Sequence, residues 1–288
     1  MITNNENLNN INKIPKIIHQ IWFQGKNDIP KDYPNYSSSW KKYNPDYKYI
    51  FWDKEKIENL MHQYFPEFVE KYNKLPKMIQ KIDSAKWMIL YSCGGIYADM
   101  DSECLKNFDN LLDNNVILSK CNMNLFQTLL VYGTPNDVIQ TGLMISIKNH
   151  PLWKKCIELI LKEDINQGSF ELDEKYIFRT TVTIVTNAYH SYNDKKNILL
   201  LDHNYIDPLT SCEYELENCY IEDCGKHFPK AYAFHHYGAK HSTHGWLTGG
   251  MKNSLMFLCK NQMYIYSLFC FCFFSIIVII VYFLKFYR

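Results

Sequence analysis

The stretch that decides the fold is GGIYADMD, Gly94 to Asp101, in which a short apolar strand ends at two carboxylates. Side chains of a strand alternate between its two faces, so Asp99 and Asp101 project to the same side. Two carboxylates at this spacing repel each other unless a cation lies between them. A hard divalent cation takes oxygen ligands and keeps positions open for phosphate groups. The stretch therefore predicts a Mn²⁺ or Mg²⁺ site, where the ion would act as a Lewis acid on a diphosphate.

The helix that precedes this stretch, predicted over Pro76–Ser92, carries two charged residues on its apolar face. At about 100° per residue, Asp83 and Lys86 fall within the stripe formed by Ile79 and Leu90. An ionised carboxylate in that position is costly unless it is paired. Two interpretations stay open: an internal Asp83–Lys86 salt bridge, or a polar pocket at the helix end that both side chains enter, near the aspartate pair.

Strands and helices alternate along the chain on both sides of this region. Predicted strands are Lys16–Trp22, Tyr47–Trp52, Ile96–Ala98, Val116–Ser119, Thr128–Tyr132, Ile198–Leu201 and Ala231–His235. Predicted helices are Tyr33–Tyr43, Lys54–Leu75 with a break at Pro66, Pro76–Ser92, Pro135–Asn149, Pro151–Lys162 and Glu174–His190. The alternation predicts an α/β domain with a mostly parallel central sheet over residues 13–255. Residues 1–12 are polar and rich in asparagine, and we expect them to be disordered.

The overall charge excludes one class of partner. The 288 residues include 31 basic and 30 acidic side chains, which leaves a net charge of +1. A protein that binds nucleic acid by neutralising phosphates needs a basic stripe, so we expect no nucleic-acid partner.

The C-terminal part is very different in composition. Met263 to Leu284 contains no charged residue, and as a helix it would extend about 33 Å, enough for a hydrocarbon core of about 30 Å. A single-pass membrane anchor over residues 261–285 is the preferred interpretation, and a buried core helix is the alternative. Met1 to Asn10 has neither the basic nor the apolar region of a signal peptide, so we expect the body to face the cytosol.

Several motifs occur in order from Ile14 to Leu112: Ile14-Pro15-Lys16-Ile17-Ile18-His19-Gln20-Ile21-Trp22, Asn44-Pro45-Asp46-Tyr47, Trp52-Asp53, Asp83-x-x-Lys86 and Gly94-Gly95-x-Tyr97-x-Asp99-x-Asp101. In this order they resemble glycosyltransferase family 32, which includes inositol-phosphoceramide mannosyltransferases. The resemblance implies a GT-A type nucleotide-sugar-binding fold. It also implies a metal-dependent, retaining transfer of a hexose, with mannose favoured. The donor would be GDP-mannose or a UDP-hexose, and the acceptor a membrane-associated glycolipid or glycan.

The resemblance also implies roles for residues that bind the donor and the metal ion. Asp99 and Asp101 would hold the metal ion and the donor diphosphate, Asp101 most directly. Tyr97 would contact the diphosphate. Trp22 would stack on the nucleobase, although a core aromatic residue at a strand end is the alternative interpretation.

Asp83, Lys86 and Asp101 would be the catalytic residues. The resemblance implies that Asp83 binds hydroxyl groups of the donor. Lys86 stands where the family usually has arginine; it keeps the positive charge but loses the bidentate fork. We expect Lys86 and the metal ion to stabilise the departing nucleoside diphosphate while an acceptor hydroxyl attacks C1, and we assign no catalytic base.

The segment 234–246, FHHYGAKHSTHGW, is the third candidate part of the site. His235, at the end of a predicted strand, is the preferred third metal ligand, and His236 and His244 are alternatives. Family members close the site with a histidine-containing segment that ends in Ser-Trp, whereas this chain has Gly245-Trp246. The threonine-rich run Thr180–Thr186 could line the donor or acceptor pocket.

Two other classes of function compete with the transferase. Two carboxylates and several histidines also suit a metal-dependent phosphoester hydrolase, although such two-metal sites usually need more ligands. A catalytically dead, membrane-anchored sugar-binding protein is the third possibility, since Lys86 and the altered histidine segment depart from the family pattern.

Overall fold

A computed structural model describes residues 13–31, 33–123, 137–169, 173–209, 227–236 and 249–286. The described strands are β1 Ile17–Ile21, β2 Lys48–Trp52, β3 Gly95–Ala98, β4 Ser102–Cys104, β5 Val116–Ser119, β6 Leu143–Ser146, β7 Ile198–Leu201 and β8 Ala233–His235. The described α-helices are α1 Tyr33–Tyr43, α2 Lys54–Tyr64, α3 Val69–Lys74, α4 Met78–Cys93, α5 Pro151–Lys162, α6 Asp173–Thr180, α7 Val182–His190 and α8 Gly249–Phe286. The chain divides into two compact units, one with β1–β8 and α1–α7 and the other with α8.

Six strands form the central sheet in the order β2-β1-β3-β6-β5-β7. Strand β6 runs antiparallel to both of its neighbours, and the remaining pairings are parallel. A second, two-stranded sheet pairs β4 with β8. The predicted α/β class and mostly parallel sheet are therefore confirmed.

Alternating side chains of the sheet enter two hydrophobic clusters on its opposite faces. Tyr97 and Met144 belong to a cluster that also contains residues of α2, α4, α5 and α7. Ile96 and Ile145 belong to a second cluster, with Trp40 of α1 and residues of both small strands. Helices α2, α4, α5 and α7 therefore cover one face of the sheet, and α1 together with the small sheet covers the other.

A buried histidine fixes the strand that leads to the aspartate pair. The Trp52 indole N–H donates to His19 Nδ1 over 3.0 Å, and His19 Nε2 lies 2.8 Å from the Gly94 carbonyl oxygen. Burial lowers the pKa of His19 to about 4, so the ring is neutral and its Nε2–H donates. Gly94 and Gly95 have φ angles of 66° and 99°, and a Cβ on Gly95 would lie 2.6 Å from the Ile17 carbonyl oxygen. Both glycines are needed for this turn.

Most predicted elements are confirmed, with ends shifted by one or two residues. The break at Pro66 is present as a 3₁₀ turn between α2 and α3. The predicted helix Glu174–His190 is interrupted at Thr181, which separates α6 from α7. The predicted strand Thr128–Tyr132 and the polar segment 1–12 lie outside the described residues.

The helix predicted over Pro135–Asn149 is wrong in its described part. Leu143–Ser146 forms strand β6, which is buried along its whole length between β3 and β5. A strand covered on both faces is a short continuous apolar run, which periodicity cannot distinguish from a buried helix. Asn149 has a φ of 61°, a left-handed conformation that is incompatible with a continuing helix.

Helix α8 begins before the predicted anchor and includes it. Its segment Met263–Leu284 is a candidate membrane span by length and composition, with a mean hydropathy of 2.8. No described side chain of that segment is buried, whereas a core helix, the alternative interpretation, would be mostly buried.

Candidate active site

Three predicted metal ligands meet at the end of β3. Asp99, Asp101 and His235 each offer one ligand atom, and these atoms all lie within 4.8 Å of one another. His235 Nε2 is 3.2 Å from Asp101 Oδ1 and 3.9 Å from Asp99 Oδ2. Two carboxylates with one imidazole suit Mn²⁺, and the carboxylates alone also suit Mg²⁺. Among the described residues this is the one group of three or more such side chains that could hold a metal ion.

The small sheet brings His235 to the aspartates. In the β4–β8 ladder Ser102 stands opposite His235, and one residue further the His236 N–H donates to the Asp101 carbonyl oxygen over 2.9 Å. Burial by itself lowers the pKa of His235, but the carboxylates of Asp101 and Asp99 outweigh it and raise the pKa to about 9. The strong attraction of this pocket for a positive charge is what a cation site requires.

A chain of ion pairs extends from the metal-ligand group into helix α4. Lys86 Nζ lies 2.7 Å from Asp83 Oδ1 and 3.0 Å from Asp99 Oδ1. The Lys86 side chain is only 2% exposed, and its ammonium also donates to the Thr141 carbonyl oxygen over 3.3 Å. The internal salt bridge is thus present, and it also reaches the carboxylate at the end of β3. The structure therefore shows the internal salt bridge of the first interpretation, and the proximity to the aspartate pair of the second.

Burial and neighbouring charges shift the pKa values of both Asp83 and Lys86. Burial raises the pKa of Asp83, and the nearby Lys86 ammonium opposes that shift. Burial lowers the pKa of Lys86, but Asp83 and Asp99 outweigh it, so the pKa rises above its usual range. Lys86 therefore stays charged at neutral pH. The Thr181 hydroxyl donates to the Ile177 carbonyl oxygen over 2.8 Å, and its proximity also favours a lower pKa of Asp83.

Tyr97 and Trp22 flank the aspartates in different ways. The Tyr97 hydroxyl donates to Asp99 Oδ1 over 2.6 Å, and burial together with Asp99 raises its pKa well above the usual range. Trp22 is half-buried at the end of β1 and meets Tyr33 edge-on, with ring centroids 5.5 Å apart. It packs against a small cluster that includes Met100. Its buried indole N–H has no hydrogen-bond partner among the described residues.

Two further residues position Asp99 and were not predicted. The Gln20 side-chain N–H donates to the Asp99 carbonyl oxygen over 3.0 Å, and the Tyr49 hydroxyl donates to Gln20 Oε1 over 2.6 Å. The Asp99 N–H donates to the Gly142 carbonyl oxygen over 2.8 Å. A Cβ on Gly142 would lie 3.2 Å from Asp99 Oδ2, so this glycine keeps the metal-ligand group open. The sequence marks Gln20 only as a polar residue that follows His19 in a β-branched strand, which does not indicate its partner.

The alternative ligand His236 and the threonine run Thr180–Thr186 are not part of the metal-ligand group. The His236 side chain is 3% exposed; its Nε2 lies 3.0 Å from Glu103 Oε2, and its ring stacks on Tyr36. His244 lies outside the described residues. In the run Thr180–Thr186, Thr180 accepts a hydrogen bond from Gln80, and Thr181 is the member that contacts the site.

Comparison with known proteins agrees with this geometry. Residues 30–118 match the glycosyltransferase sugar-binding region containing the DXD motif. The chain is 32% identical over 216 residues to an uncharacterized glycosyltransferase of Acanthamoeba polyphaga mimivirus, a match that covers 72% of this chain and 80% of that protein. The chain belongs to this glycosyltransferase family. It is therefore an enzyme of the glycosyltransferase class, and the resemblance predicted from the motifs is confirmed.

Two other similarities are more limited. Inositol phosphoceramide mannosyltransferase 1 of Schizosaccharomyces pombe is 38% identical over 103 residues, which is 35% of this chain. The match spans 32% of that relative's own length. The solved structure of the PaToxG glycosyltransferase is 16% identical, with a TM-score of 0.45, over 86% of this chain and 84% of that one.

Proposed function

We propose that this glycosyltransferase transfers a hexose, with mannose favoured, from a nucleotide sugar to a membrane-associated glycolipid or glycan. The observation that carries the proposal is the meeting of Asp99, Asp101 and His235 beside the buried Lys86, in a family defined by its DXD region. Mannose is favoured because relatives over this region are mannosyltransferases by name. GDP-mannose is accordingly the first donor to test, and a UDP-hexose is the second.

Some residues of the site would bind a cation, and others fix the positions of the residues that bind it. Asp99, Asp101 and His235 would bind Mn²⁺ or Mg²⁺, which supplies positive charge against the diphosphate of the donor. Lys86 holds Asp99 in place and adds an ammonium that stays charged next to the site. Asp83 fixes Lys86 from the other side. Electrostatic groups held ready in this way stabilise charge on a leaving group without having to reorganise during the reaction.

The membrane part of the proposal depends on α8. Met263–Leu284 has the length and composition of a membrane span, and one set of relatives acts on a ceramide lipid by name. We therefore favour a lipid acceptor over a soluble one. The orientation of the body toward the cytosol stays a prediction.

The test uses the full chain in detergent micelles with a panel of nucleotide sugars and lipid acceptors. We expect Mn²⁺-dependent transfer and slow hydrolysis of one donor, with GDP-mannose preferred. Asp101→Asn should lower transfer by orders of magnitude and weaken the dependence on Mn²⁺. Wild-type activity in that variant would contradict the metal assignment. Phosphoester cleavage without a donor preference, or donor binding without turnover, would contradict the transferase.

A further inference from the structure

A basic cleft of about 580 Å³ opens along β2, the edge strand of the central sheet. Among the described residues its lining includes no carboxylate and four lysines, Lys26, Lys41, Lys48 and Lys56. Aromatic rings form part of its wall: Lys41 Nζ lies 4.5 Å from the centroid of Tyr49, and Lys26 Nζ lies 5.4 Å from that of Phe51. The cleft thus combines several ammonium groups with flat apolar surface.

Three of these lysines carry charge that the described residues do not neutralise. Lys56 Nζ lies 3.8 Å from Asp53 Oδ2 and donates to the Phe51 carbonyl oxygen. Lys26, Lys41 and Lys48 form no ion pair with any carboxylate in the described part of the chain. Positive charges gathered in a concave surface attract anions more strongly than the same charges scattered over a convex one.

Protection of the sheet edge explains only one of these residues. Lysines on an edge strand discourage pairing with another chain, and Lys48 lies on β2 itself. Lys41 lies on α1, Lys56 on α2, and Lys26 in the 3₁₀ turn after β1. Their convergence from three other elements needs a different reason, and binding of an anion supplies one.

The cleft borders the chain segment that carries two of the predicted metal ligands. Met100 lines the cleft and stands in the chain between two of the metal ligands. The Tyr49 hydroxyl, in the cleft wall, donates to Gln20, whose amide donates to the Asp99 carbonyl oxygen. A ligand in the cleft would therefore lie near the backbone that carries Asp99 and Asp101.

The net charge around the predicted metal ligands indicates why further positive charge is needed to bind a second phosphate. Asp83, Asp99 and Asp101 carry three negative charges and Lys86 one positive charge, so these four side chains have a net charge of −2. One divalent cation offsets that charge. A second phosphate-bearing substrate would then find no further cation among the described residues of the group, whereas the cleft beside it provides three.

We propose that the basic cleft binds the phosphate of a substrate, namely a phosphate ester in the headgroup of the lipid acceptor. The proposal deepens, and rests on, the proposed function. The same chemistry occurs in the nucleotide donor, so the experiment must separate the two sources. The ammonium groups pair with the phosphate oxygens, and the rings of Tyr49 and Phe51 cover the carbon skeleton.

The experiment compares the full-length triple variant K26Q/K41Q/K48Q with the wild type in detergent micelles. Lys42→Gln is the matched control, because Lys42 is the next residue on α1 and its ammonium also lies over a ring, that of Tyr43, outside the cleft. Direct binding of inositol 1-phosphate, with inositol as the uncharged match, is measured by calorimetry. The KM values for the donor in hydrolysis and for a phosphate-bearing lipid acceptor in transfer are measured separately.

We expect the triple variant to bind inositol 1-phosphate at least tenfold more weakly and to raise the acceptor KM by a similar factor. The donor KM should change less than twofold, and Lys42→Gln should match the wild type. A rise in the donor KM alone would overturn the acceptor assignment, and unchanged binding and KM values would overturn the cleft as a phosphate site. If the wild type binds the phosphate but transfers no sugar, the proposed function fails while the cleft stands.

Discussion

Replacement of Glu103 by alanine tests whether the small sheet controls the metal site. Glu103 Oε2 lies 3.0 Å from His236 Nε2, and the His236 ring stacks on Tyr36 with centroids 4.0 Å apart and planes 12° apart. The His236 N–H in turn donates to the Asp101 carbonyl oxygen. This cluster of Glu103, His236 and Tyr36 therefore holds the backbone next to two predicted ligands, Asp101 and His235, without touching the metal position.

The size of the effect follows from the burial of the imidazole. His236 is 3% exposed, so loss of the Glu103 carboxylate removes a buried hydrogen bond to a charged group, at a cost of about 1.5–3 kcal/mol. Relaxation of the ladder to relieve that cost displaces Asp101 and His235 relative to each other. Residues that support metal ligands in this way typically contribute about 10–100-fold to metal affinity. We therefore expect the Kd for Mn²⁺ to rise by about that factor in Glu103→Ala.

The assay is the Mn²⁺ Kd of the full chain, measured by electron paramagnetic resonance of the free ion, together with urea unfolding. Glu163→Ala is the matched control, because Glu163 is another half-buried carboxylate in an ion pair, with Arg179, away from the metal ligands. The control should lose stability and keep its Mn²⁺ affinity. Tyr36→Phe, which keeps the stacked ring, should also bind Mn²⁺ normally. An unchanged Kd in Glu103→Ala, with the same loss of stability as the control, would refute a positioning role.

Two further changes test the buried charges of the body. Lys86→Met should destabilise the protein by about 3–5 kcal/mol in urea unfolding, because Asp83 and Asp99 would lose the ammonium between them. Lys86→Arg keeps a positive charge and should lose much less stability. Equal stability of the methionine variant and the wild type would contradict the chain of ion pairs. The free energy of unfolding should fall as the pH drops from about 6.5 toward 4. Over that range His19 takes up a proton in the unfolded chain but not in the folded protein, where its pKa is lowered to about 4. This contribution amounts to about 3 kcal/mol, and His19→Gln should remove it from thermal unfolding measured across the same pH range.

Local sequence patterns were sufficient to predict most helices and strands, but they did not predict the strand at the centre of the sheet. Strand β1 is recognisable because its apolar, β-branched residues stand between a proline and a loop. Strand β6 is not, because Leu143–Ser146 is apolar on both faces and only its pairing with β3 and β5 shows that it is extended. The antiparallel direction of β6 likewise depends on partners remote in the chain.

The same distinction applies to the site. The aspartate pair and the charged residues of α4 are visible because they interrupt apolar patterns within a few positions. Gln20 contacts Asp99 across 79 residues, and Glu103 contacts His236 across 133, so no local pattern indicates either contact. His235 was predicted from the density of histidines near a strand end, and its distance to the aspartates is set by the β4–β8 ladder.

The predicted metal ligands depend on two different sheets, and this division determines which changes should matter. Asp99 directly follows β3 of the central sheet, and Gln20 and Tyr97 hold its backbone and carboxylate. Asp101 directly precedes β4 and His235 lies on β8 of the small sheet, which α1 supports through the hydrogen bond from the Trp40 indole to the Ser102 carbonyl oxygen. A shift of the small sheet against the central one would change the distances of Asp101 and His235 to Asp99 while leaving the main core packed. The affinity for metal can therefore vary without a proportional change in global stability, because the three ligands share no single rigid element.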